Sequence, residues 1–504
     1  RYYHTALDAR AVESLLYSWS DVWPVVAPSL PAVAAMTAAV AVVEYWLLTL
    51  SAGAFGRPRR LPLGLALATV SLAAAAPALG VTRRYLSPPE AVARAQVPEL
   101  PSTRTVLPNV LLLLTESVRA SDYCSGHEGD CSTSPEVDAL LPDRLPLNGM
   151  RAVASYTAVS VAALFTGRPP LGPLATVSAA PGLFDFTKAI RVTGRAPAVA
   201  YWSAQLGSVF WRRDVRLRAD SFVTVEELVG HGVGDEDEVL AQGVDRRLTA
   251  YVEAHVRDLP EPFTLTVHFQ GTHAPYFTDD AHAPFQPMSH TVTWSGLEAL
   301  HDAYRDAIFE QDRSVARCIR AFLARVGPEP YVIVFTSDHG EAFGEHGAIH
   351  HGQNLYDEQL HVPAWIAHGN GALSVRQIEA LKSYRDAVVT HFDVLPTLLD
   401  IAGVLDGYAL SPLRRALIGR SLLAPRTPLA EPVPVTNCTS LFPCPLDTWG
   451  VLDDAHLLAG QPWDSDFRCL TLQGAADAPP EDCASLLTAS RRWFPKKPNG
   501  RPNR

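Results

Sequence analysis

Charge is what this chain has least of. Only 19% of its 504 residues are Asp, Glu, Lys or Arg, against 47% hydrophobic, a balance that excludes a chain too polar to fold and suits a folded protein with a membrane part. A basic surplus is missing too: the formal net charge is -11, which argues against nucleic acid as a partner, because nothing is left over to neutralise phosphates. There is no internal repeat, and no low-complexity tract beyond Ala-rich helices. No Cys-x-x-Cys spacing occurs, which removes the usual structural zinc sites. The first residue is Arg1, not Met, so upstream residues are expected, a further membrane helix or a signal sequence among them. At this length a single compact core is excluded, and two or more units are expected.

The cysteines that are present pair by proximity. Six of the seven fall as Cys124 with Cys131, Cys438 with Cys444, and Cys469 with Cys483, enclosing short loops rich in Gly, Ser, Pro and Asp. Connectivity does not follow from sequence, but paired cysteines point to an oxidising compartment such as a periplasm. Cys318, inside "ARCIRAFLARV", is left over and reads as a buried helix residue.

Two long apolar runs stand near the start. Pro31–Phe55 carries Glu44 as its only charge, and Leu61–Val81 carries none. Each is long enough to cross a bilayer core, which takes about 20 residues; a buried Ala-rich hairpin is the alternative. Between them, Arg57, Arg59 and Arg60 favour a cytoplasmic turn, placing residues 1–30 and everything after the second run outside. Arg83 and Arg84 pull the other way but are less concentrated. The division expected is an extracytoplasmic segment at 1–30, two transmembrane helices within 31–86, a Pro-rich linker at 87–104, a catalytic domain at 105–425, a small disulfide-containing subdomain at 426–490, and a basic, disordered tail at 491–504 that touches anionic lipid. Within the subdomain, Asn437-Cys438-Thr439 matches a glycosylation sequon, a pattern short enough to arise by chance.

In the catalytic stretch, three apolar runs each end in metal-type side chains. "NVLLLLTESVRASD" stops at Thr115-Glu116, "PFTLTVHFQGTHAPY" passes His268 and stops before His273, and "PYVIVFTSDHGEAFGEHGAIHHG" stops at Asp338-His339. Short β-branched runs separated by amphipathic helical stretches predict an α/β fold, a mostly parallel central sheet sandwiched by helices. Ligands bind beyond the carboxyl ends of such strands. Taken singly, a Glu at a strand end is a common solvated residue, and a strand His is commonly a satisfied core residue. Three such segments delivered to one sheet edge predict a site for one or two divalent ions, zinc by preference, with manganese, calcium or magnesium as alternatives.

From Val106 to about Pro425 the order and spacing of "TSDHGEAFGEHGAIHHG", "LYDEQLHVPAWI" and "HFDVLPTLLDIAG" resemble the alkaline phosphatase superfamily, specifically its sulfatase-type domain. Within "SYTAVSVAALFTGRPP", the stretch "TAVSV" at 157–161 is similar to the nucleophile motif of lipid A phosphoethanolamine transferases. The resemblance implies Thr157 as nucleophile at the start of a helix through Val161–Phe165, with Glu116, Thr157, Asp338 and His339 holding a first metal. It implies His273 and His351, with His268 as a lesser candidate, for a second metal or the substrate head group, and Arg168 and Glu341 as supporting residues behind the ligands. Ser160, one turn on, caps or orients; the bland reading of Thr157 is a plain helix cap.

Two departures keep the reaction open. Sulfatases of the main type need a Cys or Ser that becomes formylglycine, followed four positions on by Arg; here Thr157 is followed by Val161, and Ser160 by Leu164. The adjacent aspartates usual in hydrolytic sulfatases are replaced by Thr115-Glu116. Yet "TAVSV" lacks the Pro-Cys common after the transferase motif, and "TGR" is sulfatase-like. The first expectation is a membrane-anchored enzyme on the extracytoplasmic side of the inner membrane. It would transfer a phosphoethanolamine- or phosphoglycerol-type head group from a membrane phospholipid donor to a glycan or lipid acceptor, through a covalent Thr157 ester. The alternative is a hydrolase of sulfate or phosphate esters in the same compartment, and a catalytically dead binding domain is the third.

Overall fold

The structure, a computed structural model, describes residues 96–124, 132–205, 218–230, 243–276, 278, 283–441, 448–461, 467–472 and 477–495. The two apolar runs read as membrane spans lie outside them. Among the described residues no helix is long and apolar enough to cross a membrane.

A seven-stranded sheet forms the centre. Its strands are β1 (Asn109–Thr115), β2 (Leu145–Pro146), β3 (Ala198–Ser203), β4 (Ser221–Val223), β5 (Phe263–His268), β6 (Tyr331–Ser337) and β7 (Ala364–Gly369), in the order β2-β7-β6-β1-β5-β3-β4. The five strands β6-β1-β5-β3-β4 are parallel, while β7 runs antiparallel to β6 and β2 antiparallel to β7. The sheet is therefore mixed, its parallel part holding the strands that end in candidate ligands.

The run "NVLLLLT" is wholly buried because both faces of β1 are covered. Val110, Leu112 and Leu114 join one apolar cluster and Leu111 and Leu113 the other, as the two-residue alternation of a strand requires. On the first face lie α1 (Thr157–Thr166), α2 (Leu183–Ala189) and α5 (Val394–Ile401), contributing Leu164, Phe165, Phe186 and Leu395; on the second lie α3 (Val244–His255) and the 30-residue α4 (Leu297–Val326), contributing Leu248, Val252, Ile319 and Phe322. Each fully buried Leu or Phe side chain contributes about 1.5–3 kcal/mol. This three-layer packing is what holds the strand ends in place.

Two expected boundaries move. Part of the linker is structured: Leu100 is buried and pairs with Ile190 in a short parallel ladder, because its side chain joins the first apolar cluster. The subdomain is a four-stranded antiparallel sheet of β8 (Val433–Val435), β9 (Trp449–Leu452), β10 (His456–Gly460) and β11 (Arg468–Thr471), closed by the Cys469–Cys483 disulfide and by α6 (Ala484–Trp493). That helix runs three residues into the stretch expected to be disordered, since the Trp493 indole N–H donates to the Pro432 carbonyl at 3.0 Å.

Cys124 and Cys438 are also disulfide-bonded, and Cys131 and Cys444 lie outside the described residues. Cys318 is buried in α4, and burial pushes its thiol up to about 12. A thiol reagent at pH 8 should therefore find no reactive cysteine in the native chain and one in denaturant. Rapid labelling of the Cys318 peptide before denaturation would contradict this packing.

Candidate active site

The strand register fixes where the site must be. Leu114 of β1 lies beside His268 of β5, Thr115 beside Ser337 of β6, and His268 beside Ser203 of β3. Four adjacent strands thus end level with one another, and Glu116 and Asp338, the next residues along, and Gln205, two past the end of β3, emerge at one edge with His268.

At Ser117 the chain turns through a positive φ of 56°, a conformation that costs a non-glycine residue about 1–3 kcal/mol. The turn aims the Ser117 N–H at Asp338 Oδ1, 2.9 Å away, while the Tyr304 hydroxyl holds the Ser117 carbonyl at 2.8 Å. Gly340 must lack a side chain, since a Cβ there would stand 2.3 Å from the Glu358 carbonyl oxygen.

Thr157 is the first residue of α1; the residue before it, Tyr156, makes no side-chain cap. The Thr157 hydroxyl caps nothing either. It donates to Glu116 Oε1 at 3.0 Å and stands 3.2 Å from His339 Nε2. His339 Nε2 lies 3.3 Å from Glu116 Oε1 and 3.4 Å from Asp338 Oδ2, so the four residues expected at a first metal converge. His339 Nδ1 meets the Gly340 carbonyl at 2.9 Å; with the proton on Nδ1, the Nε2 lone pair faces the cluster.

All four side chains are buried. Burial alone would raise the Glu116 carboxyl, but the hydrogen bond and charge of His339, with His273 and His268 beyond, hold it well below the usual carboxylate range. Burial and the neighbouring Glu116 charge push Asp338 upward, and these two acids outweigh burial to push His339 upward. The ligand chemistry fits a divalent ion on its own terms. Among the described residues, Asp338 Oδ2 and His268 Nε2 are fully buried polar atoms without a hydrogen-bond partner, a cost of about 1–3 kcal/mol each unless something else satisfies them. Glu116, His268 and Asp338 place one ligand atom each within 4.8 Å of one another, as do Glu116, His339 and His351.

His351 continues the site outward. Its ring centroid is 4.4 Å from that of His339 and 5.2 Å from that of His273. Its Nδ1 lies 3.2 Å from Glu341 Oε2, an arrangement that orients the ring from behind. Burial would raise the Glu341 carboxyl, but the charges and hydrogen bonds of His351 and His350 bring it down to about 2. Glu341→Gln keeps the volume and removes the charge, so activity should fall about 10- to 100-fold with the fold retained. Unchanged kinetics would remove Glu341 from the site.

His268 meets the Tyr201 hydroxyl at 2.8 Å through Nδ1, while its Nε2 faces Glu116 Oε2 at 3.9 Å. Ser160 Oγ lies 2.5 Å from the Asp338 carbonyl and 2.9 Å from His391 Nδ1, tying α1 to the end of β6. Arg168 is the named residue that the fold does not bring to the others: it follows the Gly167 cap at the far end of α1, about 15 Å along the axis from Thr157.

Sequence reasoning passed over Ser117, Gln205 and His391. Gln205 Nε2 donates to Glu116 Oε2 at 2.6 Å, and His391 Nε2 meets the Ser337 carbonyl at 3.0 Å. Gln205 follows the strand "AVAYWS", so the strand-end rule applied to that run as well would have found it. His391 carried no such signal, because nothing local shows that its helix packs behind β6.

A family model described as Sulfatase matches residues 108–404, more than half of the chain. The chain belongs to the sulfatase family. It is 23% identical over 355 residues to a protein named uncharacterized sulfatase YidJ from Escherichia coli, covering 59% of this chain and 68% of that protein. It is 30% identical over 151 residues to the phosphatidylethanolamine transferase Mcr-2 from Escherichia coli, a match spanning 28% of this chain and 27% of the transferase. Among solved structures, the C-terminal periplasmic domain of EptC from Escherichia coli in complex with zinc is similar in fold, with a TM-score of 0.50 at 18% identity, covering 67% of this chain and 92% of that one. The α/β architecture is thus that of the alkaline phosphatase superfamily, and both the sulfatase and the transferase resemblances of the sequence reappear in its relatives.

Proposed function

We propose that this protein is a metal-dependent transferase that moves a phospho-head group from a membrane phospholipid through a covalent ester on Thr157. The observation that carries this reading is the Thr157 hydroxyl itself. It is buried at the N-terminus of α1 and aimed away from the helix, 3.0 Å from Glu116 Oε1 and 3.2 Å from His339 Nε2, in the stretch whose resemblance implies the nucleophile.

Glu116, Asp338 and His339 would hold the ion, with Thr157 beside them and His351, His273 and His268 available for a second ion or the head group. When bound, such an ion lowers the pKa of the nucleophilic hydroxyl and offsets charge on the phosphoryl oxygens. The remaining work falls to the chain. Glu116 Oε1 already accepts the Thr157 hydrogen bond and so lies on the path of the leaving proton. The positive end of α1 faces the attacked anion. Thr157 Oγ1 forms a bond to phosphorus, the bond from phosphorus to the diacylglycerol oxygen breaks, and a glycan or lipid hydroxyl later takes the head group from Thr157.

An oxidising compartment agrees with the Cys469–Cys483 disulfide and with the bonded Cys124 and Cys438; the reading places the catalytic domain on the extracytoplasmic side of the cell membrane. The match to YidJ favours a second reading, in which water instead of an acceptor releases Thr157 and a phosphate or sulfate ester is hydrolysed. The deciding measurement is the mass of the Thr157 peptide after the zinc-loaded chain has met vesicles of phosphatidylethanolamine and phosphatidylglycerol. A head-group adduct on Thr157 supports transfer and names the donor. An unmodified peptide, from protein that cleaves simple phosphate or sulfate esters, supports hydrolysis.

A further inference from the structure

Asn437 opens a glycosylation sequon, yet its side chain is fully buried. Its Oδ1 accepts the Ser155 N–H at 2.7 Å, and its Nδ2 donates to Ser155 Oγ at 2.9 Å. A glycan could not be attached to an amide so enclosed. Ser155 Oγ donates in turn to the Asn354 carbonyl at 2.9 Å. One amide therefore joins three distant segments: the stretch after β8, the approach to α1, and the loop that follows His351.

The surroundings hold Asn437 in this place. Thr436 N–H donates to the Val153 carbonyl at 3.0 Å, Thr436 Oγ1 to the Thr448 carbonyl at 2.6 Å, and the Cys438 N–H to Thr436 Oγ1 at 3.0 Å. Cys438 is disulfide-bonded, and with Tyr156 and Leu441 it packs on a small apolar cluster of Ala154 and Val159. Tyr156 directly precedes Thr157.

We propose that Asn437 is a positioning residue for the Thr157 hydroxyl, acting through Ser155; the proposal rests on Thr157 being the nucleophile. Glu116, Asp338 and His339 are set by adjacent strands of one sheet. Thr157 alone comes from a separate helix, whose first turn has no side-chain cap to fix where it starts. Ser160 ties the body of the helix to the end of β6, while the backbone of residues 153–156 leads into its first residue and is gripped by Thr436 at Val153 and by Asn437 at Ser155. A nucleophile displaced by about 1 Å loses about 100-fold in rate, so a contact that touches no substrate can govern turnover.

The test uses the full chain, p-nitrophenyl phosphate, and mixed phosphatidylethanolamine–phosphatidylglycerol vesicles. In Asn437→Ala and Ser155→Ala, kcat and the rate of Thr157 adduct formation should fall about 30- to 100-fold, with KM and zinc content within about twofold of the parent. Asn437→Asp keeps the acceptor for the Ser155 N–H and should recover part of the loss. Should Asn437→Ala not fold, Ser155→Ala carries the test alone. The proposal is overturned by parental rates per folded molecule, or by activity falling only in step with zinc or folded fraction. Thr157→Ala separates the two failures. If it turns over normally, the nucleophile assignment fails and this proposal with it. If it is inactive while Ser155→Ala and Asn437→Ala are normal, only the role of Asn437 falls.

Discussion

Thr157→Ala should lower turnover by at least about 10^4-fold while leaving the fold intact, because a covalent route loses its attacking atom. The Ser117 hydroxyl also donates to Glu116 Oε1, at 3.1 Å, but from the turn after β1 and not from the start of α1. Ser160 is the nearest alternative in sequence, but its Oγ is engaged by the Asp338 carbonyl and His391. Thr157→Ser keeps the oxygen and should retain activity within about 100-fold of the parent, the loss reflecting a freer χ1 torsion. Stability should change by less than about 1 kcal/mol, since alanine is well suited to the first turn of α1 and offsets the lost hydrogen bond. Steady-state assay and thermal unfolding of the two variants check both statements. Turnover by Thr157→Ala at even a tenth of the parental rate would require a different nucleophile, and the reading of a covalent Thr157 ester would end.

Removing the metal is the second large effect. Glu116 and Asp338 are both buried, and Asp338 Oδ2 has no hydrogen-bond partner among the described residues, so the metal-free site leaves carboxylate repulsion and an oxygen without a hydrogen bond in the interior. Chelation should abolish activity, and zinc should restore it. An ion that binds only the folded chain, at about 1,000 times its dissociation constant, adds about 4 kcal/mol of stability, so the midpoint of thermal unfolding should fall on chelation and recover on readdition. Full activity in metal-stripped protein would leave Glu116, Asp338 and His339 without their proposed purpose. A midpoint indifferent to chelation would mean that the four buried groups satisfy one another.

Much of this was legible because strand ends are local features. An apolar run such as Val110–Leu114 declares a buried strand, and the polar residue that halts it declares where the edge lies. That reasoning pointed to Glu116, Asp338 and His339, and the structure brings His339 Nε2 to 3.3 Å from Glu116 Oε1 and 3.4 Å from Asp338 Oδ2. Arg168 was picked out by its Thr-Gly-Arg setting, but a ten-residue helix separates it from Thr157. Ser117, Gln205 and His391 escaped because their importance is relational: a serine becomes notable only once its N–H is found 2.9 Å from Asp338 Oδ1. Asn437 was noticed for the wrong reason, since the sequon pattern carries no information about burial.

By itself the sequence determined the α/β class, the family, and the side chains that meet at the sheet edge, because periodicity, strand termini and motif spacing are written along the chain. Only the tertiary structure decided how those side chains face one another. The direction of β7, the burial of Leu100 and Asn437, the turn at Ser117, and the bonds of Asn437 to Ser155 before α1 all depend on contacts between segments up to about 300 positions apart. Such contacts arise from packing and from the need to satisfy buried polar groups, and neither is encoded in any single stretch of sequence.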